Sequence, residues 1–121
     1  MNDFLLVVAI SLAGGVGSAL RHLSDNALPE RVRARHPWGT TVVNIVGSYA
    51  LGLLTGLGLD GPGESVLTIG LLGGYTTFST ASLETLRLLT DRRWAAAAAH
   101  GLGLILVCVA AAVLGILSTR P

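Results

Sequence analysis

The chain of 121 residues has no lysine, a single cysteine at Cys108, and charged side chains at only 12% of positions. Each shortage excludes something. Soluble domains carry about 25% charged residues, so this chain cannot dress a globular surface in the usual way. With no lysine and a formal net charge of +1, no basic patch is available for nucleic acid. One cysteine cannot form an intrachain disulfide framework, so cysteine usage says nothing about redox compartment. The start, Met1-Asn2-Asp3, is acidic, and no Ala-x-Ala-like cleavage site follows the first apolar run. That run is therefore expected to be a retained span rather than a signal peptide. No nucleophile–base constellation and no phosphate loop occurs. Gly15-x-Gly17 lacks both the preceding strand and the third glycine of a dinucleotide fingerprint. His100 and Cys108, eight residues apart, do not make a metal site. Nothing points to an enzyme.

What is abundant is apolar surface and glycine. Hydrophobic residues make up 51% of the chain, the mean hydropathy is +0.68, and there are 16 glycines. A membrane span needs about 20 mostly apolar residues, and four windows qualify: about 4–23, 40–59, 66–89 and 95–117. The linkers between them are short, so the expected fold is all-α, a single four-helix integral membrane domain over residues 1–121. A soluble bundle is disfavoured because helices apolar all round have no solvent face. Charge sets the orientation. Arg21, Arg31, Arg33, Arg35, Arg87, Arg92 and Arg93 cluster at the first and third linkers, against Arg120 alone on the other side. Such a bias places both arginine-rich linkers in the cytoplasm and both termini outside.

Within the spans, polar residues sit in patterns that lipid would not tolerate. The first span carries Gly14-Gly-Val-Gly-Ser18, a flat surface for close helix packing, followed by Arg21 near its end, where a long side chain can snorkel to water. The second begins Pro37-Trp-Gly-Thr-Thr41, with Trp38 as an interfacial anchor. It then presents Thr40, Asn44, Ser48, Gly52 and Gly56 on one helical face. Asn44 is either interhelical hydrogen-bond glue or a donor to an anion. The third span contains Gly70-Leu-Leu-Gly-Gly-Tyr-Thr-Thr-Phe-Ser-Thr80. Gly-Gly weakens a helix, and Ser and Thr bond freed backbone groups. A break near the middle of this span is therefore expected, with a half-helix restarting near Thr77 to Ser79. Irregular backbone at membrane depth survives only where it is buried in protein or lines a water-filled cavity. The restarted N-terminus suits an anion, and the unwound carbonyls before it suit a small cation. Phe78 offers a positive ring edge to an anion. Glu84 and Arg87 are spaced for a local ion pair. Trp94 anchors the fourth span, which is otherwise nearly featureless.

Three motifs together resemble the bacterial CrcB/Fluc fluoride channels. They are Gly14-Gly-x-Gly-Ser-x-x-Arg21, Gly39-Thr-x-x-x-Asn44-x-x-Gly47, and Gly73-Gly-x-Thr-Thr-Phe-Ser-Thr80 with Glu84. The resemblance covers essentially the whole chain, and its third motif is the specific one. It implies an antiparallel, inverted-topology dimer in the bacterial cell membrane, passively exporting fluoride and so protecting against its toxicity. It further implies a structural, untransported sodium at the dimer centre, held by the backbone carbonyls of Gly73 and Thr76. The pore residues it implies are Thr40, Asn44 and Phe78, with the hydroxyls of Thr77, Ser79 and Thr80 nearby and Arg21 toward a vestibule. Glu84 is expected to be structural. The physics agrees. Fluoride holds water tightly and needs substitute donors, while conduction requires weak, multi-site binding, and no lysine or arginine sits centrally in the spans.

Two features depart from the family pattern. Ala81 stands where a second phenylalanine is usual, and Leu104 and Cys108 replace part of a polar track in the fourth span. A homodimer inserting both ways also needs balanced charge, whereas this chain is biased seven to one. A second, related subunit of opposite orientation is therefore one expectation, and a plain homodimer the other. The rival functions are a non-conducting partner subunit and a small four-span proton-coupled multidrug exporter. The exporter needs a membrane-embedded carboxylate, which the first span lacks after Asp3.

Overall fold

The structure is a computed structural model that describes residues 2–31 and 38–119. Arg33, Arg35, Pro37 and Arg120, which enter the charge count and the second-span entry, lie outside the described residues. All regular structure among those described is helical. Helix α1 spans Asp3–Asn26, and the Asn2 side chain caps it by accepting from the Phe4 N–H at 2.7 Å. Helix α2 spans Trp38–Gly56. Helix α3 covers 62–75 and α4 covers Phe78–Thr90. Helix α5 runs Trp94–Thr119.

Three stretches are long and apolar enough to cross a membrane: Asp3–Asn26, Pro62–Thr90 counted through its break, and Trp94–Thr119. Helix α2 falls outside that class. It has 19 residues, and its polar stripe of Thr40, Asn44 and Ser48 dilutes its hydropathy. It also ends short of the expected residue 59. Gly58, with φ +70°, and Gly61, with φ +85°, turn the chain there because only glycine adopts such angles without strain.

The helices pack as two seams of close backbone contact. Helix α1 lies against α3, and α2 lies against α5. In the first seam, a Cβ on Gly74 would stand 2.1 Å from the Gly14 carbonyl oxygen. In the second, a Cβ on Gly52 would stand 2.1 Å from the Ala112 carbonyl oxygen. Small residues permit this approach, which is how helices associate when lipid removes the hydrophobic drive between them. The interior is correspondingly thin. The buried hydrophobic residues are Val43, Leu88, Ala97, Leu104 and Ala111, while long runs of Leu, Val and Ile face outward on α1 and α5. Outward apolar faces of this extent fit a lipid surrounding.

Two segments depart from α geometry. Val66–Leu72 in α3 and Ala99–Gly103 in α5 are π-helical. A π turn holds one extra residue and rotates the side chains that follow onto a different face; such turns gather at functional sites.

Candidate functional site

The break in the third span falls at Thr76–Thr77, not at Gly73–Gly74. Both glycines stay helical, Gly73 with φ −62° and ψ −37°. Gly74 serves close approach to α1, where it packs against Gly14. The unwinding comes two residues later, where Thr76 (φ −81°, ψ 162°) and Thr77 (φ −148°, ψ 120°) are extended. Helix α4 then restarts at Phe78 with Thr77 as its cap, the Thr77 hydroxyl accepting from the Thr80 N–H at 3.1 Å. The restart lies where the sequence predicts it.

The break is held from outside by Asn44. The Thr77 N–H donates to Asn44 Oδ1 at 2.9 Å, and Asn44 Nδ2 donates back to the Thr77 carbonyl at 3.2 Å. Nδ2 also donates to the Thr40 carbonyl at 3.0 Å. An amide has two N–H donors, so both are engaged. Of the two sequence alternatives for Asn44, glue is what the geometry displays. The clamp has a second effect: a continuous helix would give the Thr77 N–H to the Gly73 carbonyl, and that carbonyl is released from the partnership. Thr76 still donates through N–H and hydroxyl to the Leu72 carbonyl, both at 2.9 Å.

Glu84 finds its partner across the bundle. Thr40 Oγ1 donates to Glu84 Oε1 at 2.5 Å, tying the start of α2 to α4. Thr40 and Asn44, one turn apart, therefore both bind the unit that follows the break. Thr40 through its side chain holds α4, and Asn44 holds the break itself.

A cavity of about 870 Å³ opens beside the break, between α2, α3, α4 and α5. Among the expected site residues, Asn44, Gly73, Thr76, Thr77 and Phe78 line it. Thr40, Ser79, Thr80, Glu84 and Arg21 do not. Ser79 and Thr80 are exposed on α4, and Arg21 is half-buried on α1. Phe78 is 86% exposed, which excludes an ordinary packing role within one chain. Ala81 also lines the cavity, so the position where a second aromatic is usual does face this space. Sequence reasoning missed Ser82, Thr85 and His100 on the same walls. Ser82 and Thr85 lie four and seven residues after Phe78, one helical face, and that spacing was available as a signal. The sequence considers His100 and Cys108 only as a metal site to be dismissed, and both line the cavity. No group of three or more His, Cys, Asp or Glu side chains among the described residues could hold a metal ion.

Comparison with known proteins covers nearly the whole chain. Residues 8–116 match the family model described as CrcB-like protein, Camphor Resistance (CrcB). The chain is 42% identical over 116 residues to "Fluoride-specific ion channel FluC 1" of Leifsonia xyli subsp. xyli, covering 93% of this chain and 85% of that protein. It is 43% identical over 121 residues to "Fluoride-specific ion channel FluC" of Geobacter metallireducens, covering 96% and 98%. It is 42% identical over 108 residues to "Fluoride-specific ion channel FluC 2" of Mycobacterium tuberculosis, covering 89% and 86%.

Proposed function

The chain belongs to the CrcB family, and from that premise we propose that it is a fluoride channel, not an enzyme, exporting fluoride passively across the bacterial cell membrane and so protecting against its toxicity. The observation that carries the reading is the broken third span beside a cavity. At membrane depth an extended dipeptide such as Thr76–Thr77 is tolerated only against protein or water. Here it faces a cavity whose walls offer hydroxyls, the start of α4 and the Phe78 ring. These are partial positive charges rather than cations, and a small, strongly hydrated anion can leave them again. Asn44 joins this path by trading one of its two backbone carbonyls for the ion. Thr40 supports Asn44 from one turn above, and Ser79 and Thr80 extend the hydroxyl row along α4. Arg21 raises the local anion concentration toward a vestibule, and Glu84 is structural.

Four spans follow if α2 also crosses. Its 19 residues at 1.5 Å each reach about 28 Å, close to the hydrocarbon thickness. A second subunit in opposite orientation completes the assembly. Phe78 needs it, since one chain leaves that ring exposed. A sodium ion shared between the two breaks fits the donor set. Hard backbone oxygens suit it, and the Asn44 clamp releases the Gly73 carbonyl beside Thr76. Bound there, sodium would tie the two breaks together electrostatically and would not be transported.

The second reading, an obligate or non-conducting member of a heterodimer, is favoured by Ala81 on the cavity wall and by the seven-to-one arginine bias. Fluoride efflux from liposomes decides. Efflux with this chain alone supports a homodimeric channel, and efflux only with a related second subunit supports the heterodimer. None with either would sink the fluoride reading, and substrate-driven proton exchange would revive the exporter.

A further inference from the structure

We propose that His100 is a wall residue of the anion path and that its protonation makes fluoride passage dependent on pH. The inference rests on the channel reading above and extends it to a side chain that the reading does not use. His100 is 1% exposed, yet it borders the cavity shared by Asn44, Thr77 and Phe78. It lies in the π-helical turn Ala99–Gly103. The other π turn, Val66–Leu72, contributes Thr68 and Leu72 to the lining of the same cavity. Both departures from α geometry in these spans therefore open onto one space. The stretch around His100 also sits hard against α4: a Cβ on Gly101 would meet Thr85 Cγ2 at 3.2 Å. Its place is set by packing.

The chemistry follows from what else is present. Among the described residues lining the cavity, His100 and Cys108 are the only ionisable side chains. The ionisable groups on the elements around them are Glu84 and Arg87 on α4, Tyr49 on α2, and Glu64 and Tyr75 on α3. None lines the cavity, and Glu84 is engaged by Thr40. Protonation of His100 therefore changes the charge of the path with no carboxylate on its wall to cancel it. An imidazolium just behind the cavity wall adds a full positive charge that a neutral imidazole lacks. In a poorly screened site that charge holds fluoride far more strongly. Since conduction needs an ion that leaves as readily as it enters, acid slows release.

The test is fluoride efflux from liposomes at saturating fluoride, with the leak of protein-free vesicles subtracted to remove permeation by hydrofluoric acid. Wild-type efflux is expected to fall about threefold or more between about pH 7.5 and about pH 4.5, a window that runs past the acid side of the ordinary imidazole range. H100Q and H100N keep an N–H donor and cannot be protonated, and each is expected to show a flat profile. Wild type and both variants sharing one profile would overturn the inference while leaving the channel reading intact. Absence of wild-type efflux at every pH, with or without a second subunit, would instead overturn the channel reading. A second measurement does not depend on flux. In micelles at fixed pH, fluoride should shift the histidine ring resonance that disappears in H100Q, and an equal concentration of chloride should not. No fluoride-specific shift of that resonance overturns the placement of His100 on the path.

Discussion

At the residue scale, Asn44 carries more of the architecture than its type suggests. Its amide serves the N–H and carbonyl of Thr77 and the carbonyl of Thr40. Truncation leaves those groups without partners where water is scarce, at a cost of about 1–3 kcal/mol. Asn44→Ala is therefore expected to lower the melting temperature in detergent and to abolish fluoride efflux. Asn44→Asp should fare no better at neutral pH. It keeps an acceptor for the Thr77 N–H but turns a carboxylate toward two carbonyls, and a buried charge with a single donor is costly. A wild-type-like melting curve for either variant would show that the clamp does not hold the break. Phe78 makes the opposite case. With 86% of its surface exposed, Phe78→Ala should change the stability of the single chain by less than about 0.5 kcal/mol while efflux falls. Equal loss of both would return the ring to a packing role.

At the element scale, the glycines divide by what faces them. Gly74→Ala would put a Cβ 2.1 Å from the Gly14 carbonyl oxygen, a backbone atom that cannot step aside. It should destabilise the α1–α3 seam by about 1–3 kcal/mol. Gly15, one residue along, has open space where its Cβ would be, and Gly15→Ala should be neutral or stabilising by up to about 1 kcal/mol. Thermal unfolding of the pair checks the seam directly; equal effects would argue against it. Much of this level was legible in the sequence. Hydropathy located the helices, Thr40, Asn44 and Gly52 of the expected stripe lie buried on α2, and the restart at Phe78 falls within the expected Thr77 to Ser79 window. Three things were not legible. The Gly73–Gly74 pair promises a break by propensity, but tertiary contact with α1 keeps it helical and moves the break to Thr76–Thr77. A π turn has the composition of an α-helix, so nothing in Val66–Leu72 or Ala99–Gly103 announces one. The Thr40–Glu84 bond joins residues 44 positions apart, whereas local spacing suggested Arg87.

At the scale of the whole molecule, the single chain leaves its candidate site open to one side. The cavity beside the break is open and the Phe78 ring on its wall is exposed, while apolar side chains cover most of the remaining surface. The arginine bias predicts a single orientation. A C-terminal tag on the chain expressed alone should be reachable only from outside the cell. Tags found on both sides, together with efflux, would rule out the heterodimer and establish a dual-topology homodimer.

The clamp on the break has an evolutionary consequence. Asn44 grips the main chain of Thr77 rather than any side chain, so the geometry of the interruption does not depend on which side chains decorate it. Residues facing the ion can then be exchanged while the scaffold that displays them persists. Saturation mutagenesis should find position 77 permissive wherever a helix cap is kept, and position 44 intolerant. A lineage could explore new anion preferences along this stretch without first having to reinvent the fold.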